Sequence, residues 1–122
     1  MSKRVLVVDD EKEFSALLRY RLQGDHYEVA CASSGTEALT KAQNFSPDVI
    51  LLDLLLPDLD GISVCEILRR QPMTRDTPII MISALTSEPT HTAAKFAGVS
   101  AYFGKPLDFA ALKRMLETLL NL

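Results

Sequence analysis

Cysteine is scarce in this chain. Cys31 and Cys65 are the two cysteines among 122 residues, and each lies in an apolar segment. Two cysteines are too few for a disulfide framework, and these two are too far apart in the sequence to form a metal-binding pair. The sequence therefore predicts two reduced thiols in the core of a cytoplasmic protein.

Long hydrophobic runs are missing as well. The N-terminal segment MSKRVLVVDD contains a short apolar run that ends at two acids, unlike a secretion signal. No stretch approaches the roughly 20 apolar residues that a membrane-spanning helix needs. These absences predict a protein that stays in the cytoplasm and has no membrane partner.

An excess of positive charge is also absent. The chain has 13 Lys and Arg against 16 Asp and Glu, which gives a net charge of -3. Binding of nucleic acid requires a basic surface, so no direct nucleic-acid partner is expected. With 48% hydrophobic residues and no internal repeat, the sequence predicts one globular domain over residues 1–122.

Apolar strands alternate with amphipathic helices along the chain. Runs that are apolar at every position are typical of parallel strands buried on both faces. Five strands alternating with five helices predict an α/β fold, a doubly wound five-stranded parallel sheet. The strands are predicted at 4–8, 26–32, 49–56, 78–83 and 101–103, and the helices at 11–23, 33/34–44, 62–70, 89–97 and 109–120.

Two helices carry more specific expectations. In the first helix, the pattern places four apolar side chains on one buried face, and Gly24 is expected to end the helix. These side chains are Phe14, Leu17, Leu18 and Leu22. The fourth helix is rich in threonine and alanine, so its apolar face is poor and it is expected to be the least stable helix.

Asp53 interrupts the apolar run VILLDLLLP of the third strand. An ionised carboxylate is costly to bury, so it is expected at the carboxyl end of the strand, where parallel sheets place their sites. An Asp beside Pro and Gly also commonly caps a turn. This stretch alone leaves both interpretations open.

Other polar residues follow the remaining strands in the same way. Asp9 and Asp10 end the first strand, Ser83 ends the fourth and Lys105 follows the fifth. Parallel strands bring these side chains to one edge, together with Asp53. Clustered carboxylates attract a cation, and an all-oxygen site with few protein ligands suits Mg²⁺. A phosphoryl group on Asp53 would have its charge met by the metal, the ammonium and the hydroxyl.

The chain resembles the receiver domains of bacterial two-component response regulators, the family of the chemotaxis receiver. The resemblance covers the whole chain and rests on VLVVDDE at 5–11, DLLLPDLDG at 53–61, PIIMISA at 78–84 and AYFGKP at 101–106. It implies the flavodoxin-like strand order 2-1-3-4-5. It also implies a signalling protein that catalyses only its own phosphorylation and dephosphorylation.

The resemblance implies a role for each matching acid. Asp53 matches the phosphoryl acceptor, whose donor is phosphohistidine on a sensor histidine kinase or a phosphotransfer protein. Asp10 matches the direct Mg²⁺ ligand and Asp9 the acid that holds metal-bound water. Leu55 matches the position whose backbone carbonyl binds the metal.

Three further positions match the residues that respond to phosphorylation. Ser83 stands at the Ser or Thr position, Lys105 at the lysine, and Tyr102 at the aromatic whose rotamer follows Ser83. The resemblance further implies a cis Lys105-Pro106 bond and a switching surface formed by the fourth helix, fifth strand and fifth helix. The resemblance also implies a downstream partner, either a separate effector protein or a fused output domain.

Other functions fit the residues less well. A flavodoxin-like FMN carrier needs a phosphate cradle after the first strand, where this chain has DDE. A phosphatase with an aspartyl nucleophile would place it after the first strand, with a second acid two residues later, whereas Asp9 and Asp10 are adjacent. The remaining alternative is a pseudo-receiver, a phosphorylation-independent interaction module, although such modules usually lose an acid or the lysine.

Two features depart from the pattern or are variable within it. The segment TSEPTHTAAKF lacks the alternating charges that would support the dimer face of DNA-binding regulators. Leu55 and Leu85, two residues beyond Asp53 and Ser83, are both apolar. One interpretation is that the two leucine side chains exclude water from the site, which predicts a long-lived phosphorylated state. The other is that they only cover the rim of the sheet.

Overall fold

The computed structural model describes residues 2–122 and contains five strands and five helices in strict alternation. Each strand is short, the three central strands are buried, and each helix packs its apolar face against the sheet. The elements are β1 (Arg4–Val8), α1 (Lys12–Gly24), β2 (Glu28–Ala32), α2 (Gly35–Phe45), β3 (Val49–Leu52), α3 (Gly61–Arg70), β4 (Ile79–Ser83), α4 (Glu88–Ala97), β5 (Ala101–Gly104) and α5 (Phe109–Leu119).

The strands form one parallel sheet in the order β2-β1-β3-β4-β5, which confirms the expected fold class. The chain moves from β1 to one edge and then crosses to β3, so the winding direction reverses between these two strands. The register pairs Val8 with Leu52 at the carboxyl ends of β1 and β3. The residues directly after these two therefore emerge side by side at the switch point of the sheet.

Alternate residues of the strands supply two cores. Leu6 and Ile50 point to the layer that contains α2, α3 and α4, and Val7 and Leu51 point to the layer that contains α1 and α5. All four side chains are at most 1% exposed. Burial on both faces explains why the strands are apolar at every position.

Two of the sequence-based expectations for these elements are wrong. Leu17 is 44% exposed, because Ser15, Leu18 and Leu22 form the buried face of α1. Gly24 ends α1 as expected, and the residue with a positive φ after the helix, 70°, is His26. β3 ends at Leu52 rather than at residue 56, and the bond from Asp53 N–H to the Val8 carbonyl is the last one to β1.

α4 has the weak apolar face that its composition predicts. Its buried residues are Ala94 and Ala97, and Phe96 is 88% exposed. The hydroxyl of Ser87 caps its first turn, and Gly98 ends it with φ 107°. Little apolar area therefore holds α4 in place, so its displacement costs little.

Both cysteines are free, with Cys65 buried and Cys31 half-buried. Across residues 2–122, no helix is long and apolar enough to cross a membrane.

Candidate functional site

The polar residues that follow the strands meet at one edge of the sheet. Asp9 and Asp53 continue β1 and β3, where Asp9 N–H donates to Ala32 and Asp53 N–H donates to Val8. Ser83 is the last residue of β4, and Lys105 follows β5 directly. These four residues therefore lie at the same edge of the sheet, as predicted. They meet there because the parallel register aligns the carboxyl ends of their strands.

Asp9, Asp10 and Asp53 form a compact group of acids. One carboxylate oxygen from each lies within 4.8 Å of the others. Asp9 is 4% exposed and Asp53 5% exposed, whereas Asp10 is open to solvent. Carboxylate oxygens at this spacing, with one side open to water, are a donor set that fits Mg²⁺.

Lys105 connects the acids through its ammonium group. Its Nζ lies 2.8 Å from Asp9 Oδ2, 3.2 Å from Asp53 Oδ2 and 2.6 Å from Glu11 Oε1. The same atom lies 4.4 Å from the centroid of the Phe14 ring, which adds a cation–π contact. The Lys105-Pro106 bond is cis, which confirms that prediction.

The buried charges perturb each other. Burial lowers the pKa of Lys105, but its hydrogen bonds to Asp9 and Glu11 outweigh this and raise the pKa above its ordinary value. Burial raises the pKa of Asp9, and the bonds from Lys105 and from Glu11 N–H only partly offset the effect. An incoming cation would relieve the cost of the buried Asp9 carboxylate.

Asp53 contacts both the turn that follows it and the charged site, so both interpretations left open by the sequence describe part of its role. Its Oδ1 accepts a hydrogen bond of 3.3 Å from Leu55 N–H, and its Oδ2 faces Lys105. The cap of α3 is a different residue, since Asp60 accepts from Ser63 N–H. Asp53 thus has one oxygen toward the following loop and one toward the ammonium.

A second set of contacts leads away from the acids toward α4. Ser83 is fully buried and its Oγ accepts from Leu85 N–H at 3.2 Å. The Tyr102 hydroxyl donates to the carbonyl of Leu85, and the Tyr102 ring stacks on His91 of α4 with centroids 4.0 Å apart. Ser83, the Leu85 backbone and Tyr102 therefore form a continuous path from the edge of the sheet to α4.

Three residues of this region were not predicted from the sequence. Glu11 lies within the motif VLVVDDE, but it was not identified as a partner of Lys105. His91 was not identified as the stacking partner of Tyr102. Asp58 was not identified as the residue that joins the loop after β3 to α2. Only the PDLDG spacing gave a local hint for Asp58, and the other two contacts depend on distant segments.

The sheet order and the acids at its switch point define the class of the CheY-like receivers. The chain belongs to the response regulator receiver domain family, whose sequence model matches residues 5–117. It is thus a receiver domain of two-component signalling.

Similar solved structures agree with this assignment. A putative response regulator from Chloroflexus aurantiacus has a TM-score of 0.94 and 33% identity, with 100% of both chains covered. The chemotaxis protein CheY4 of Vibrio cholerae has a TM-score of 0.93 and 32% identity, with 98% of this chain and 100% of that chain covered.

Similar curated proteins are longer. The alkaline phosphatase synthesis transcriptional regulatory protein PhoP of Bacillus subtilis is 40% identical over 99% of this chain and 50% of its own length. The response regulator PleD of Caulobacter vibrioides is 38% identical over 98% of this chain and 26% of its own length. The chain therefore spans half or less of these two relatives.

Proposed function

We propose that the chain accepts a phosphoryl group on Asp53 and passes the signal on through a change of surface. The observation that carries this proposal is the position of Asp53, whose carboxylate contacts the Lys105 ammonium and lies beside the two acids that follow β1. A nucleophile here has a fixed positive charge and a cation-binding group as neighbours, which suits phosphoryl transfer.

The donor in this proposal is phosphohistidine on a sensor histidine kinase or a phosphotransfer protein in the cytoplasm. A carboxylate oxygen of Asp53 forms a bond to phosphorus while the bond from phosphorus to the imidazole nitrogen breaks. The electron pair of the broken bond stays on the imidazole, which then takes a proton. The Asp53 carboxylate is oriented for attack because it accepts hydrogen bonds from Lys105 Nζ and from Leu55 N–H.

The same residues would hold Mg²⁺. Asp10, Asp53 and the Leu55 carbonyl would bind it directly, and Asp9 would hold a water on it. The ion supplies charge neutralisation for the phosphoryl oxygens. Lys105, directly after β5, and Ser83, at the end of β4, supply the other two contacts, an ammonium and a hydroxyl.

Labelling by a small phosphodonor such as acetyl phosphate tests the proposal. With Mg²⁺, the wild-type protein should gain the mass of one phosphoryl group, and Asp53→Asn should gain none. Asp10→Asn keeps the acceptor but loses a metal ligand, so its Mg²⁺-dependent labelling should also be lost. Asp76→Asn is the matched control, because Asp76 is an exposed residue of the loop before β4 and should label normally.

Unchanged labelling of Asp10→Asn would contradict the metal assignment. A folded wild-type protein that is never labelled, by the small donor or by a histidine kinase, would instead support the pseudo-receiver alternative.

The proposed output is a change in the surface formed by α4, β5 and α5. The path from Ser83 through Leu85 to Tyr102 and His91 supports this proposal, as does the small buried area of α4. Movement of Ser83 toward a phosphoryl group would take its Oγ away from Leu85 N–H and so disturb the carbonyl that Tyr102 contacts. The partner that responds to this change is an effector protein or a fused output domain.

Hydrogen exchange with a beryllofluoride phosphate mimic tests the output surface. Amide exchange over residues 85–105 should change when the mimic and Mg²⁺ are added, because the α4 contacts rearrange at little cost. Asp53→Asn given the same mimic is the control and should show no change. Equal exchange in the wild-type protein with and without the mimic would place the switch elsewhere.

A further inference from the structure

Asp58 joins the loop between β3 and α3 to a different part of the chain. Its Oδ1 accepts from Gly35 N–H at 2.7 Å, and its Oδ2 accepts from Thr36 N–H at 2.9 Å and from the Thr36 hydroxyl. Its Oδ1 also accepts from Leu59 N–H at 2.7 Å. The hydrogen bonds that Asp58 accepts hold its pKa well below its usual range, and the bond from the Thr36 hydroxyl has the largest effect. Asp58 is therefore an anion at the start of α2.

The contact between the loop and α2 is also a close steric one. A Cβ on Gly35 would lie 2.8 Å from Leu59 Cβ and 2.9 Å from Val64 Cγ2. The first turn of α2 therefore packs directly against the loop and against α3. The three hydrogen bonds that Asp58 accepts from α2 hold two surfaces that are already in contact.

The base of the loop is closed close to Asp53. Gly61 N–H donates to the Leu54 carbonyl at 2.8 Å, and Leu55 N–H donates to Asp53 Oδ1 at 3.3 Å. Within the described residues 2–122, the hydrogen bonds from the segment 55–59 to any other element are those of Asp58 to α2. Asp58 is thus the polar contact that holds the outer part of the loop.

We propose that Asp58 is a positioning residue for the metal site, an inference that rests on the proposed function. The Leu55 carbonyl lies on the loop that Asp58 fastens to α2, three residues away in sequence. If the outer part of the loop is released, the carbonyl samples more positions and the ion loses a preorganised ligand. Groups that orient a metal ligand change metal affinity even though they do not touch the ion.

Titration with Mg²⁺ alone, by calorimetry and without a phosphodonor, tests this role. Asp58→Ala should bind Mg²⁺ about tenfold more weakly than the wild-type protein, the range found for residues that orient metal ligands. Asp58→Asn keeps one carbonyl oxygen as an acceptor and should recover part of the affinity. In the metal-free Asp58→Ala protein, amides of residues 54–60 should exchange faster.

Ser34→Ala is the matched control. The Ser34 hydroxyl caps α2 by accepting from Glu37 N–H at 3.1 Å, and within residues 2–122 its side chain makes no hydrogen bond to the loop. Its removal weakens the same helix end but should leave Mg²⁺ affinity close to the wild-type value. An equal loss in Ser34→Ala would show that stability of α2, rather than the attachment of the loop, sets the affinity, and would overturn the proposal.

The other outcomes also separate the inference from the proposed function. If the wild-type protein binds Mg²⁺ and folded Asp58→Ala binds it equally well, Asp58 is only a helix cap and the inference is wrong. If the wild-type protein binds no Mg²⁺, the proposed function fails and the inference fails with it. Should Asp58→Ala not fold, Thr36→Val removes only the hydroxyl bond and should weaken binding by a smaller factor; unchanged affinity would then overturn the inference.

Discussion

Exchange of Leu55 for Asn together with Leu85 for Glu should shorten the lifetime of phosphorylated Asp53 by about tenfold or more. The backbone N–H of Leu55 donates to Asp53, and that of Leu85 donates to Ser83, so both residues lie at the rim of the site. Their side chains are 53% and 42% exposed. Hydrolysis needs a water aligned with the bond that breaks, and neither leucine can hydrogen-bond such a water.

Release of phosphate after removal of the phosphodonor gives the lifetime directly. Asn and Glu offer groups that can orient a water, whereas Leu55→Met with Leu85→Met keeps both positions bulky and apolar. The Met protein is therefore the control and should release phosphate at about the wild-type rate. Equal or slower release from the Asn and Glu protein would mean that the leucines only cover the rim of the sheet.

Replacement of Gly61 by Ala should lower the free energy of unfolding by about 3 kcal/mol, the upper part of the range for overpacked sites. A Cβ at this position would lie 2.3 Å from the Asp53 carbonyl oxygen and 2.9 Å from Leu54 Cα. Both are backbone atoms, so no side-chain rotation can relieve the clash. The loop must shift, and with it the backbone of Asp53 itself.

Urea denaturation of the unphosphorylated protein measures this loss. Gly24→Ala is the control, because Gly24 ends α1 and a Cβ there would meet nothing within 4 Å. Alanine has the better helix propensity, so this variant should be as stable as the wild-type protein or slightly more stable. A Gly61→Ala protein as stable as the wild type would show that the loop can shift at no cost.

Most elements could be predicted from local sequence. Apolar runs identified the strands, and Ser34 and Asp108, residue types that commonly begin helices, cap α2 and α5. Leu17 was assigned wrongly because its periodicity is compatible with two neighbouring faces of α1. Only the packing of the helix on the sheet decides which face is buried.

The candidate site was likewise predictable only in part. The positions of Asp9, Asp53, Ser83 and Lys105 at the strand ends were predictable, because a parallel sheet places all its carboxyl ends on one edge. The residues that these side chains contact were not predictable, because they come from distant parts of the sequence. Glu11 and Lys105 are separated by 94 residues, and Gly35 and Asp58 by 23.

By itself, the sequence determined the strands, the helices and the set of residues at the carboxyl edge, because hydrophobic periodicity and capping act over a few residues. The tertiary structure alone decided that Lys105 bridges three carboxylates, that Tyr102 stacks on His91 and that Asp58 fastens its loop to α2. Each of these contacts joins segments that only the packing of the folded chain brings together.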